Sequence, residues 1–250
     1  MNIRTFFCRA IFLTVLTGIP GVFGSESSRA PEPGDLRAAG KVDFPVSCTP
    51  AAQAEFARGV ALLHSFFYEE ARRIFTSVAE QDPKCAMAHW GVAMTYFHPV
   101  WTPALPPDTF TAGQQEMLEA TRLHAGTPRE RQYVHALGEL YKVDAGLTSA
   151  QRSMAYEKAM AELARDNPKD VEAQVFYAVA LLSNAAPTDK THAKQKQAIG
   201  ILEPLFRTYP DHPGIAHYLI HATDSAALAQ RGACQFADLL FGELFLFCDG

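Results

Sequence analysis

Basic residues are in short supply in this 250-residue chain: Lys and Arg number 22 against 27 Asp and Glu, for a net charge of −5. The basic surplus of a nucleic-acid binder is missing, which argues against DNA or RNA as a partner. Cysteine is scarce as well. Five in the whole chain cannot build a disulfide scaffold, although they suffice for one or two staples in an oxidising compartment. No glycine-rich phosphate loop, nucleophile elbow or paired-carboxylate arrangement is found, so phosphoryl and acyl transfer have no support. Strand-like alternation is also lacking. What remains is an ordinary globular balance, 48% hydrophobic and 20% charged, which rules out wholesale disorder.

The first 24 residues differ from the rest. Arg4 and Arg9 precede an apolar stretch from Ala10 to Phe23, the pattern of a secretory signal, and Gly24 with Val22 suits cleavage before Ser25. The stretch is shorter than the ~20 residues that span a bilayer, so an uncleaved anchor is the weaker alternative. Cys8 lies ahead of the apolar stretch, badly placed to become a lipidated first residue. A periplasmic or secreted product without stable membrane insertion is therefore expected. Losing Arg4 and Arg9 would take the net charge from −5 to −7. Residues 25–47 carry Pro31, Pro33, Gly34, Gly40 and Pro45 without any period and read as a linker.

From Ala51 onward the apolar spacing is helical. Phe56, Val60, Leu63 and Phe67 form one stripe, and Ala71, Ile74, Phe75 and Val78 form the next. Asp82-Pro83-Lys84 stops the second helix, because proline lacks the N–H and clashes with the preceding turn. Asn167-Pro168 and Tyr209-Pro210 punctuate the chain in the same way, while Pro204 falls inside a stripe and should kink it. The proline-rich stretch from His98 to Asp108 must be an irregular loop. Thr127-Pro128-Arg129-Glu130 is a capping box, and Thr148 with Gln151 starts another helix. Five helix pairs result, at about 50–83, 84–126, 127–168, 169–210 and from 211 to near the end, which is the signature of a helical solenoid.

Counting ~34 residues back through Pro83 puts Gly59, Leu62, Ala71, Phe75 and Pro83 at the small, large, small, aromatic and proline positions of the tetratricopeptide repeat. The chain resembles a tetratricopeptide repeat protein over about residues 48–232. The stretches Cys85 to Ala93 and His212 to His221 are similar to those of exported bacterial members without an assigned biochemical role. The resemblance implies an all-α, right-handed solenoid of about five repeat-like pairs. It also implies a non-enzymatic scaffold with a protein or peptide partner and no cofactor. The later units have longer intervals, from Pro128 to Pro168 and from Pro168 to Pro210. Residues 233–250 depart from the pattern: Phe236 to Phe247 is apolar apart from Asp238 and Glu243, where a polar capping helix is expected.

In such stacked pairs the first helix lines the concave face. That places Phe56, Val60, Leu63 and His64 there, beside Met87, Trp90, Met94 and Phe97. These eight residues make an apolar groove suited to an amphipathic helix or an extended peptide. The competing reading is that the stripe is core, covered by the loop that holds Trp101. A second functional reading rests on His217 and His221, four apart on one helix face, with Asp224 one turn on. That spacing can chelate a metal, with His64 or His98 brought near by the superhelix, for a metal-binding protein or metal-dependent enzyme. Tyr218 stands where a zincin would carry its catalytic Glu. Cys48 and Cys85 precede the first helices of two successive pairs, so stacking would bring them together as a disulfide; two buried thiols are the alternative. No role is assigned to Cys234 or Cys248.

Overall fold

The computed structural model describes residues 39–100, 104–143 and 146–229. The expected signal segment at 1–24, Trp101, Gly232, and the C-terminal stretch with Cys234 and Cys248 lie outside the described residues. The described residues belong to one compact unit. All regular structure among the described residues is helical: α1 Pro50–His64, α2 Tyr68–Gln81, α3 Ala86–Met94, α4 Pro107–Arg122, α5 Pro128–Leu140, α6 Ser149–Asp166, α7 Val171–Ser183, α8 Ala193–Thr208 and α9 Pro213–Thr223. No helix among them is long and apolar enough to cross a membrane.

The helix ends follow local chemistry. Thr127 and Thr148 each accept a hydrogen bond from the N3 backbone, and Glu130 and Gln151 reach back to the cap N–H, so both capping boxes are complete. Asp170 caps α7 through Ala173 N, and His212 caps α9 ahead of Pro213. Helices α2, α6 and α8 end on Asp82, Asn167 and Tyr209, the residues just before Pro83, Pro168 and Pro210. Helix α8 continues through Pro204. The α1 stripe stops earlier than its spacing suggests. Helix α1 ends at His64, Phe66 adopts a left-handed φ of 61° in the turn, and Phe67 is 49% exposed rather than on the buried face.

Sequence neighbours pack most extensively: α1 on α2, α3 on α4, α5 on α6 and α7 on α8. The odd-numbered helices also meet one another, α1 with α3, α3 with α5 and α7 with α9. They form the inner layer; in α3 every residue except His89 is buried. Phe75 of α2 wedges between α1 and α3, and a Cβ on Gly59 or Gly91 would lie 2.7 or 2.5 Å from its ring. Glycine is what lets both inner helices close on that aromatic. Helix α1 also touches α9, so inner helices far apart in the chain are joined directly.

Cys48 and Cys85 are bonded, with Cα atoms 5.0 Å apart. The bridge ties the N-terminal edge of α1 to that of α3. Asp82 reinforces the same edge by accepting from Thr49 N at 2.7 Å.

Candidate functional site

The inner layer does not present an open groove. Phe56, Val60, Leu63, His64, Met87, Trp90, Met94 and Phe97 are all buried, none more than 3% exposed. Their apolar faces are consumed by helix packing and by a segment of the chain itself, while Val100 and Leu105 of the proline-rich loop pack elsewhere along the same core cluster. That segment is residues 39–47, which lacks any period and reads as linker, yet inserts Phe44 at 0% exposure. The Phe44 ring meets Phe56 of α1 at 5.4 Å, Trp90 of α3 at 5.6 Å, Tyr133 of α5 at 4.7 Å and Phe176 of α7 at 6.4 Å between centroids. One aromatic from each of four inner helices therefore converges on a single ring.

The backbone of the segment is held by side chains of the inner helices. Gln53 of α1 donates from Nε2 to Phe44 O at 2.9 Å and accepts at Oε1 from Val46 N at 2.7 Å. Arg129 of α5 donates to Pro45 O at 2.8 Å and lies over the Phe44 ring. Glu130 accepts from both the backbone N–H and the hydroxyl of Ser47. Burial disfavours charge on Glu130, but these bonds and those from Thr127 outweigh it and lower its pKa. Lys41 N bonds Asp211 O at 3.0 Å. An extended chain has unpaired amides and carbonyls, and these bonds pair the amides of Lys41, Val46 and Ser47 and the carbonyls of Phe44 and Pro45 without a strand partner.

Beneath the segment lies a buried polar chain. His64, at the end of α1, bonds Glu172 Oε2 through Nε2 at 2.7 Å, and His212 bonds Glu172 Oε1 through its own Nε2 at 2.7 Å. Tyr218 of α9 lies 3.0 Å from His64 Nδ1. The tautomers follow from the partners. His212 Nδ1 accepts from Ile215 N at 3.3 Å, so its proton sits on Nε2 and is donated to the carboxylate. His64 likewise donates from Nε2 and accepts the Tyr218 hydroxyl at Nδ1. Burial opposes the charge on Glu172, yet the N–H bonds from His64 and His212 hold its pKa below the ordinary 4.5. Burial also lowers the pKa of His64, despite the adjacent carboxylate, and keeps the ring neutral. The close approach requires Gly214: a Cβ there would lie 2.7 Å from His64 Cγ.

Although His64, Glu172 and His212 have metal-ligating side chains within 4.8 Å of one another, the proton on His212 Nε2 occupies the position a metal would need. The network instead ties α1 to α7 and α9. Cys48, Asp82 and Cys85 also lie close together, but the disulfide removes both thiolates.

His217 and His221 are brought together, their Nε2 atoms 3.1 Å apart, while His217 Nδ1 lies 2.7 Å from the carbonyl of His64. His98 is directed elsewhere, stacked on Tyr68 at 4.0 Å and bonded to Thr95 O. Asp224 caps α9 and is exposed.

A cavity of about 910 Å³ opens beside residues 41–47, along the edge where α5, α7 and α9 begin. Val42, Val46, Val171 and Tyr209 give it apolar walls, Lys169 and Asp211 mark its rim, and Glu172 and His212 lie at its buried side. Neither this cavity nor the role of Phe44 is legible from spacing, since both depend on the 39–47 segment crossing helices that are distant in sequence. In comparisons with known proteins, no family model, curated sequence or solved structure matches the chain.

Proposed function

We propose that the chain is an exported, non-enzymatic interaction scaffold, a right-handed solenoid of tetratricopeptide-like pairs that recognises an extended peptide segment of a partner protein. The observation that carries this reading is how residues 39–47 are held: one aromatic anchor in a pocket, with Gln53 and Arg129 bonding the backbone. Anchor pockets for specificity and main-chain bonds for affinity are the two components of extended-peptide recognition. The partner segment would lie in the cavity beside residues 41–47, against Val42, Val171 and Tyr209. The Cys48–Cys85 bridge accords with export to an oxidising compartment.

A photo-crosslinking side chain at Tyr209, 44% exposed on the cavity wall, tests this against the same group at Leu118, 63% exposed on α4. Envelope and secreted fractions are the partner source. A discrete adduct formed from position 209 and not from 118, with the crosslink in an extended peptide, supports the reading. Identical adducts from both positions, or none, retire it.

A further inference from the structure

We infer that His217 and His221 form a two-imidazole chelate for a divalent transition-metal ion, with zinc or copper as the class of ion. The sites lie on α9, four residues apart, so the rings project from one face on successive turns. The His64 carbonyl can only accept a hydrogen bond, so the 2.7 Å contact fixes the His217 proton on Nδ1. The lone pair of a neutral His217 is therefore on Nε2, where it accepts the Nε2–H of His221 across 3.1 Å, the proton that a bound metal ion would replace. Metal–imidazole bonds of about 2.0–2.1 Å place two ligand nitrogens roughly 2.9–3.4 Å apart at angles from square to tetrahedral. The separation already present lies inside that range.

The surroundings hold the rings in place. A ligating histidine characteristically donates its other ring N–H to a backbone carbonyl, the arrangement His217 has with His64. Phe66 packs against both rings, with centroids at 4.3 Å from His217 and 5.6 Å from His221. Its backbone holds a φ of 61°, a conformation that a non-glycine residue keeps only where the surroundings enforce it. Both imidazoles are partly exposed, which leaves the ion a path to solvent. Imidazole nitrogen suits zinc and copper, with copper the tighter by the general affinity order. At the neighbouring His64–Glu172–His212 cluster the His212 proton cannot leave Nε2 by moving to the other ring nitrogen, because Nδ1 accepts from Ile215 N.

Calorimetric titration of Zn²⁺ and Cu²⁺ into untagged, chelator-treated full chain tests the site, with copper electron paramagnetic resonance to count nitrogen ligands. The expected result is one ion per chain and a two-imidazole copper spectrum. His221→Ala should weaken binding at least about tenfold and leave one nitrogen, whereas Glu172→Gln should leave the affinity unchanged. Independently of any variant, Zn²⁺ should protect His217 and His221 of the unmodified chain from diethyl pyrocarbonate while His135 continues to react. The proposal is overturned if no ion binds, if His221→Ala binds as the parent does, if binding is lost in Glu172→Gln instead, or if Zn²⁺ gives those two rings no protection.

Discussion

Glu172 and His212 meet through a 2.7 Å hydrogen bond between Oε1 and Nε2, both buried, so the first turn of α7 is tied to the residue that caps α9. His64 occupies the other carboxylate oxygen and brings in the end of α1. A carboxylate accepting two N–H bonds is satisfied; removing it strands two imidazole donors in the core. Glu172→Ala is therefore expected to destabilise the fold by about 2–6 kcal/mol, at ~1–3 kcal/mol for each stranded donor. Glu172→Gln should cost clearly less, since its oxygen can serve His212 while its NH₂ meets His64 Nε2 after that ring moves its proton to Nδ1. Urea unfolding of the two variants checks the order, and equal losses would contradict the tautomer assignment.

Acid should weaken the fold in two stages. His64 has a pKa lowered from its ordinary 6.5, so the unfolded chain takes up that proton first and stability declines as pH falls below about 6.5. Glu172 has a pKa lowered from 4.5 to about 2, so its contribution is complete above 4.5 and is lost as pH falls from there toward 2. Glu130, also lowered, adds to the second stage. Urea midpoints measured across this span should fall continuously, and the second stage should be shallower in Glu172→Gln. A midpoint that stays constant down to pH 4 would refute this account.

Phe44→Ala removes the ring on which four inner helices converge. A loss of about 3–5 kcal/mol is expected for such a truncation, together with release of residues 39–47. Limited proteolysis after Lys41, compared between parent and variant, reads the release directly. Unchanged cleavage would mean that the backbone bonds from Gln53 and Arg129 hold the segment without its anchor.

Replacing Cys48 and Cys85 by serine opens a loop closed over a sequence separation of 37. The chain-entropy relation gives about 4 kcal/mol for a loop of that size. The parent protein measured under reducing conditions should show the same loss, and the serine pair should no longer respond to reductant.

Much of the helical layout is legible in local sequence. The capping box at Thr127 and Glu130 and the stops before Pro83, Pro168 and Pro210 act within a few residues, and each lies where its chemistry dictates. Spacing alone misplaces Phe67, since helical period continues on paper past the turn at which α1 ends. The candidate site was legible only in part. His217 and His221 share a helix face because they are four apart, but Glu172 looks like an ordinary first-turn acid, and its partners are 108 and 40 residues away. Glu130 is similar: its cap is local, whereas its bonds to Ser47 cross 83 residues.

By itself, the sequence determined where helices begin and end and which face of each is apolar, because capping, proline and the 3.6-residue period are properties of neighbouring residues. Only the tertiary structure decided what covers those faces. An aperiodic segment carries no local sign of where it docks, so Phe44 filling the inner layer, the carboxylate bridging α1, α7 and α9, and the carbonyl of His64 orienting His217 emerge only when the helices are packed.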